Sequence, residues 1–286
     1  MLKRLLMGAL PPGVVARMRV RSAPPLALRV LRAETGTWTA RHVAGERFDP
    51  PAFARQIEIE TAAAATERLG KQPLWSGYAG LRDQPHATDA NAQRSSEEVR
   101  TGTSVGLFYA WLVRERRPAT IVEFGTAFGI SGMYWLAALE ANAQGHLYTF
   151  EPNTTWADIA RRNLASIGTR FTLTQGTFEG NVGVLDGAAA RIDLAFIDAI
   201  HTSAFVLPQM ELVLARAARL RRHRLLRRHA PVLASRRRGS PVRVRLRDSP
   251  HRRRRAALRF SGSRSSRNSD CTRRPLAPAA LRCRLR

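Results

Sequence analysis

The chain has 286 residues, 44% of them hydrophobic, which is enough to bury a sizeable core. Its formal net charge is +25, but residues 219–286 hold 24 arginines and two acids and so carry +22 of it, which means that the charge excludes no function for residues 1–218. Both cysteines, Cys271 and Cys283, lie in the same basic stretch, which excludes a disulfide framework or a cysteine metal site in the rest of the chain.

Residues 1–94 are predicted to form an N-terminal helical extension that caps the following domain. The first apolar stretch ends at Pro11 and Pro12, too early for a signal sequence, and no later run approaches the roughly 18 apolar residues of a membrane helix. We therefore expect a cytoplasmic protein. Within the extension, the segment "PPAFARQIEIETAAAATERLG" has the composition of a helix.

An α/β domain with a doubly wound, Rossmann-like sheet is predicted for residues 95–218. It opens with a capping box, in which Ser95 is the N-cap and Glu98 follows it, and continues into the apolar helix "VGLFYAWLV". Short strands then alternate with helices. The strands are "TIVEF", "HLYTF", "RFTLT" and "IDLAFID", and the helices are "SGMYWLAALEA", "TWADIARRNLASI" and "SAFVLPQMELVLARAA". This alternation indicates βαβ units and a parallel sheet. We expect this sheet to be truncated at its C-terminal strands, for the reason given below for residues 219–286.

The stretch "IVEFGTAFGISG", Ile121–Gly132, joins the first strand to its helix. In a doubly wound sheet this turn lies at the carboxyl end of the strands, where ligands bind. Gly125 permits a close backbone approach, and Gly129 lets the helix pack near the strand. Glu123 would repel a pyrophosphate but can accept hydrogen bonds from an ammonium group. The spacing E-x-G-x-x-x-G therefore favours an amino-acid ligand over a dinucleotide.

The second strand ends in "YTFEPN", which places Glu151 at the neighbouring carboxyl end. A carboxylate in this position can accept hydrogen bonds from both hydroxyls of a ribose. A ligand that combines adenosine with an amino acid is S-adenosylmethionine. Together with "FIDAIH" at the end of the fourth strand, these two positions favour S-adenosylmethionine as the cofactor.

Residues 95–218 resemble the class I S-adenosylmethionine-dependent methyltransferases, in particular the branch related to catechol-type O-methyltransferases. The segments that carry the resemblance are "VEFGTAFGISGMYWLA", "LYTFEPN", "TQGTFEG" and "IDLAFIDAIH". The resemblance implies a Rossmann-like methyltransferase fold and O-methylation of a small molecule. It also implies a cofactor site made of Glu123, Gly125, Thr126, Gly129, Ser131, Glu151, Gly176, Thr177, Phe178 and Asp198.

The same resemblance implies roles for single residues, and several of them have a structural alternative. Ser131 would reach the methionine carboxylate, but a serine at this position can equally cap the following helix. Gly176, Thr177 and Phe178 would flank the adenine, and Phe178 can equally be part of the core. Glu151 would bind the ribose.

Asp198 and His201 are the candidate catalytic residues. A carboxylate at the end of a buried strand needs partners, so Asp198 is hard to explain as packing. The resemblance places it near the sulfonium and, in metal-dependent members, on a divalent cation such as Mg²⁺. The Asp-Asp or Asp-Asn pair that completes such a metal site does not follow in this chain. His201 stands where many relatives carry a basic residue facing the acceptor, although a loop histidine is often only solvated.

Two other functions compete with methyl transfer. The Arg-rich tail could bind nucleic acid through the phosphates, but it has one aromatic residue, Phe260, and no recognisable module. A nicotinamide-dependent oxidoreductase would need G-x-G-x-x-G, which the loop lacks. We therefore expect a small-molecule methyl acceptor as partner, with no specific nucleic acid and no membrane. Trp75 and Tyr78 in "LWSGYAG" are the candidates for covering that acceptor.

Residues 219–286 are interpreted as a frameshifted, disordered tail. They contain no Ile, Met, Lys, Glu, Gln, Trp or Tyr, while arginine dominates, as expected when GC-rich DNA is read out of frame. Shifting "AARLRRHRLLRRHA" by one base permits a turn, an apolar strand and an Asp-Asp pair, which are the elements missing above. The chain as written would then be inactive. A genuine basic tail is the alternative.

Overall fold

The structure is a computed structural model that describes residues 9–30, 51–78, 92–186, 191–226 and 244–247. The chain divides into two compact units, one made of Met1–Pro24 with Asp49–Ala234 and the other of Pro25–Phe48 with Ser235–Arg286. In the second unit, the structure describes an antiparallel strand pair, Ala27–Val30 with Val244–Arg247. The remainder of the predicted tail beyond residue 226 lies outside the described residues, so its interpretation stays a prediction.

A four-stranded parallel sheet forms the centre of the first unit. Its strands, numbered in chain order, are β1 Thr120–Phe124, β2 His146–Glu151, β3 Phe171–Gln175 and β4 Leu194–Ile197. Their spatial order is β3-β2-β1-β4, and every neighbouring pair is parallel. The chain thus moves outward from β1 to β3 and then crosses to the other side of β1, which places the switch point of the sheet between β1 and β4. The predicted α/β fold with a parallel sheet is confirmed.

Among the residues that the structure describes, four helices precede the sheet. They are α1 Pro12–Arg21, α2 Gln56–Glu67, α3 Ser96–Val99 and α4 Thr103–Arg116. Proline at the first position of α1 leaves no hydrogen bond unmade, because the first N–H groups of a helix have no partner within it. A short antiparallel bridge pairs Gln72–Pro73 with Gln93–Arg94.

The helix predicted to follow the capping box is divided in two. The box itself is present, and the N–H of Ser95 donates to Glu98 Oε2 at 2.7 Å. Arg100, however, is extended, with φ −70° and ψ 152°, so α3 stops before it. Gly102 then serves as the N-cap of α4. The prediction of one continuous helix is wrong here.

Helices α5 Ile130–Ala141, α6 Thr154–Ile167 and α7 Phe178–Asn181 follow β1, β2 and β3, and α8 Ser203–Leu226 follows β4. Ten consecutive residues of α5, Ile130–Leu139, are buried, because other elements surround that helix. Helix α6 buries one face, and Asn153 caps it by accepting from the N–H of Trp156 at 3.2 Å. Helix α8 extends past the predicted domain end at 218. No helix in the described part of the chain is long and apolar enough to cross a membrane.

A buried ionic cluster connects the N-terminal helices to α5. Glu60 of α2 is fully buried and accepts hydrogen bonds from Arg100 Nη2 at 2.5 Å and from the hydroxyl of Tyr134 on α5 at 2.7 Å. Arg19 of α1 lies 3.9 Å from the same carboxylate and 2.6 Å from Glu97. A buried charge is costly unless it is paired, so these contacts fix α1 and α2 against α5.

Candidate active site

The loop between β1 and α5 brings its backbone close to two neighbouring elements. Gly125 has φ +86° and Gly129 has φ +83°, which is the left-handed region that favours glycine. A Cβ on Gly125 would lie 2.8 Å from the Cα of Ala199, which follows β4, and a Cβ on Gly129 would lie 3.1 Å from the Cα of Ala160 on α6. Gly125 therefore makes the close backbone approach expected of it, whereas Gly129 makes room for α6 and not for the packing of α5 against the strand.

Glu151 lies beside this loop, at the carboxyl end of β2. Its side chain is buried, and Oε2 accepts from the N–H of Ala127 at 2.7 Å while Oε1 accepts from the N–H of Asn153 at 2.9 Å. Burial raises the pKa of Glu151 to about 7, although the two backbone hydrogen bonds favour the charged form. Each carboxylate oxygen can accept a second hydrogen bond, so Glu151 can still bind hydroxyl groups of a ligand.

Glu123 points into the protein interior. It is fully buried, and its carboxylate accepts from Ser131 Oγ at 2.6 Å, from Thr149 Oγ1 at 2.8 Å and from Trp135 Nε1 at 3.2 Å. Burial raises the pKa of Glu123 to about 7. Because Thr149 donates to Glu123, the buried hydroxyl of Thr126, 2.5 Å from Thr149 Oγ1, must donate to Thr149.

The side chains of Glu123, Thr126 and Ser131 thus hold the loop against α5 and β2 from within. Within the described residues, Glu123 accepts from Ser131 and Thr149. The contacts predicted from Glu123 to an ammonium group, directly or through water, and from Ser131 to a methionine carboxylate stay predictions. The loop presents its backbone to the sheet edge: the N–H groups of Gly125 and Thr126 both donate to Phe150 O at 3.1 Å.

A small cleft, partly open to solvent, lies at the carboxyl ends of the strands. Its walls are mostly apolar and come from the β1, β2 and β4 ends, from α7 and from the start of α8. The lining residues are Trp75, Phe124, Gly125, Phe150, Glu151, Pro152, Thr177, Phe178, Glu179, Ala199, Ile200, Phe205 and Gln209. An apolar cleft with few polar groups at the switch point of an α/β sheet is the usual place for a small ligand.

The three residues predicted to flank an adenine surround the turn after β3. Gly176 has φ +130°, and its N–H donates to Glu151 O at 3.0 Å, so this turn is joined to the end of β2. Thr177 caps α7 and accepts from the N–H of Gly180 at 3.3 Å. Phe178 is 2% exposed and packs with its ring centroid 4.1 Å from that of Phe124, yet it also lines the cleft. Phe178 therefore combines the core role with the cleft role.

Asp198 and His201 lie together after β4. His201 Nε2 is 2.9 Å from Asp198 Oδ1, the imidazole is 58% exposed, and the carboxylate is 24% exposed. The N–H of Asp198 donates to Phe124 O at 3.0 Å, which holds this residue at the end of β1. Neither Asp198 nor His201 is among the residues that line the cleft, although Ala199 and Ile200 between them are.

The residues near Asp198 do not fit a metal ion. In the described ranges no group of three or more His, Cys, Asp or Glu side chains could hold one. Asp198 and His201 supply two ligands, and divalent cations such as Mg²⁺ need near-octahedral coordination by oxygen. No step of the chemistry is therefore assigned to a metal.

Sequence reasoning identified Glu151 and Trp75 as residues near the ligand, and both line the cleft. The side chain of Tyr78 lies outside the described residues. Phe205 and Gln209 also line the cleft but were not predicted. The available signal was their position in the first turns after a strand end, because such residues return toward the ligand edge of the sheet.

The strand order, the glycine loop after β1 and the acidic residue that ends β2 together define a Rossmann-like methyltransferase fold. The family described as "Methyltransferase domain" matches residues 122–221. Over these residues, the match confirms the recognition of a methyltransferase domain. A search of curated proteins found no match.

Solved structures of O-methyltransferases are similar over part of the chain. TomG from Streptomyces achromogenes, which is involved in tomaymycin synthesis and was solved with S-adenosylmethionine, is 24% identical, with coverage of 42% of this chain and 53% of TomG and a TM-score of 0.38. A proposed O-methyltransferase from Klebsiella pneumoniae is 33% identical, with coverage of 42% and 51% and a TM-score of 0.35. The O-methyltransferase from Bacillus cereus, solved with S-adenosylhomocysteine, is 23% identical, with coverage of 42% and 54% and a TM-score of 0.37. The chain spans about half the length of these proteins.

Proposed function

We propose that this protein is an S-adenosylmethionine-dependent methyltransferase that methylates a hydroxyl group of a small molecule. The observation that carries the proposal is Glu151, a buried carboxylate at the end of β2 that lines an apolar cleft beside the loop of Gly125. This geometry suits the ribose of an adenosine cofactor, because a carboxylate that keeps acceptor capacity can bind two vicinal hydroxyls.

The described residues fit the cofactor along the length of the cleft. Glu151 would hold the ribose, and the turn at Gly176 and Thr177 together with Phe178 would flank the adenine. The backbone of the loop from Gly125, which lines the cleft, would lie near the methionine part. The buried carboxylate of Glu123 supports this loop through Ser131 and Thr149.

When bound, S-adenosylmethionine supplies a methyl group that its sulfonium already activates. The protein then has to align the acceptor, exclude water and take up one proton. His201 is the proposed base for the acceptor hydroxyl. Asp198, which lies 2.9 Å from His201 Nε2, would orient the imidazole and stabilise its protonated form. Trp75 on the cleft wall is the proposed cover for the acceptor.

The experiment is calorimetric titration with S-adenosylhomocysteine. We expect the unaltered protein to bind it, Glu151→Ala to show no measurable binding, and Glu115→Ala, a change of an exposed glutamate on α4, to bind as the unaltered protein does. Parallel titrations with NAD and with an oligonucleotide at two salt concentrations test the competing functions. Unchanged affinity in Glu151→Ala would remove that residue from the site.

We also propose that methyl transfer belongs to the uninterrupted protein and that the chain as written is inactive, because residues 219–286 are read out of frame. One observation supports this interpretation. The methyltransferase family match ends at residue 221, within a few residues of the start of the Arg-rich composition. Sequencing the coding DNA around codons 205 to 220 is the test. An open frame with no shifted reading that encodes a strand and an Asp-Asp pair would overturn it, as would robust methyl transfer by this chain. The cytoplasmic location of the protein stays a prediction.

A further inference from the structure

We propose that Gln209 of α8 recognises the exocyclic amino group of the adenine and so makes the cleft specific for adenine among purines; this inference rests on the proposed function. Gln209 lines the cleft and is 3% exposed. Its side-chain oxygen is buried and accepts no hydrogen bond from the part of the chain that the structure describes. Leaving a buried amide oxygen without a donor is costly, so a ligand that brings an N–H group to this atom binds more tightly.

Glu179 determines which atom of the amide needs a partner. Gln209 Nε2 donates to Glu179 Oε1 at 2.7 Å. Since a carboxylate oxygen accepts, the amide turns its NH₂ group toward Glu179 and its oxygen away. The missing partner of that oxygen is therefore a donor. This excludes a purine whose 6-position only accepts, such as hypoxanthine with its carbonyl oxygen.

The surroundings of Gln209 suit a flat heterocycle. Glu179 directly follows Phe178, which the proposed function places at the adenine. Phe205 lies four residues before Gln209 in α8 and hence on the same helix face, and both Phe205 and Ile200 line the cleft. Aromatic and aliphatic walls with one converging polar atom are typical of a site that fixes a ligand's orientation. Adenine offers apolar faces and an amino group at one edge.

The test compares S-adenosylhomocysteine with its 6-deamino analogue, in which purine replaces adenine. By calorimetry, we expect the unaltered protein to prefer S-adenosylhomocysteine about tenfold, the effect of one buried hydrogen bond. Gln209→Met keeps the length of the side chain but removes the amide, so the preference should fall to about one. Gln144→Met is the matched control and should keep the tenfold preference. Gln144 also donates through Nε2, to Arg117 O at 2.9 Å, but does not line the cleft.

The preference is a ratio of two affinities measured on one variant, so partial unfolding of Gln209→Met lowers both affinities alike. Gln209→Met that keeps the preference overturns the inference, as does an unaltered protein that binds both ligands equally. An unaltered protein that binds neither ligand overturns the proposed function together with the inference. The two failures are therefore distinguishable.

Discussion

Replacing Glu151 by glutamine should flatten the pH dependence of stability. Burial moves the pKa of this carboxyl from 4.5 to about 7. The folded protein therefore binds the proton more tightly than the unfolded chain does, and the ionised side chain destabilises the fold. The stabilisation that the protonated Glu151 carboxyl gives to the folded protein is fully present below its unfolded pKa. This stabilisation is lost as the pH rises through about 7. A shift of this size corresponds to about 3 kcal/mol in the free energy of unfolding.

The assay is urea unfolding followed by tryptophan fluorescence, at several values between about pH 5 and about pH 8. The ligand-free protein should lose stability over this range, and Glu151→Gln should lose about 3 kcal/mol less. Glu151→Gln also lowers stability at every pH, because one amide oxygen cannot accept from both Ala127 and Asn153. The readout is therefore the slope of the unfolding free energy against pH and not its absolute value. Glu115→Gln, on an exposed side chain, should keep the original slope. Equal slopes for the unaltered protein and Glu151→Gln would refute the reasoning.

Three further changes test the geometry. Gly125→Ala places a Cβ 2.8 Å from Ala199 Cα at a residue with positive φ. We expect the free energy of unfolding in urea to fall by about 1–3 kcal/mol and S-adenosylhomocysteine to bind more weakly. A stable variant with normal affinity would contradict the close approach. Arg100→Met removes the cation that hydrogen-bonds buried Glu60 and leaves only Arg19, 3.9 Å away, so the free energy of unfolding should fall by about 3–5 kcal/mol. A loss below about 1 kcal/mol would show that the pair is not buried in solution. Phe178→Ala should cost about 3–5 kcal/mol and also reduce binding, and a stability loss with unchanged affinity would leave this ring in the core alone.

The sheet and its ligand edge were predictable because their signals are local. Each strand is a short apolar run between turn residues, and each helix shows its own pattern, so all four strands lie within about two residues of the predicted segments. The left-handed conformations of Gly125 and Gly129 follow from their place in a tight strand-to-helix turn. Glu151 was identifiable because it ends a strand at the edge where parallel strands meet their ligands.

The roles of the two buried glutamates could not be separated from the sequence. Glu123 and Glu151 both end or nearly end a strand, but the direction of each side chain depends on the pleat and on the donors that surround it. The donors to Glu123 come from α5 and β2, which only the tertiary fold brings together. The break at Arg100 has the same origin, because its side chain bonds to Glu60, forty residues earlier. Local helix signals cannot report such long-range pairing.

The buried cluster around Glu60 determines how the acceptor cover can be studied. A truncation that removed residues 1–90 would delete Glu60 and Arg19 while retaining Arg100 and Tyr134, whose polar groups would lose their partners. In the shortened chain, Arg100 would be left without its carboxylate partner on a surface that the N-terminal helices cover in the full protein. Loss of activity in that chain would therefore say nothing about catalysis. The N-terminal helices therefore stabilise the domain and cannot be removed without destabilising it. Acceptor preference is therefore best altered by single substitutions on the cleft wall, beginning with Trp75.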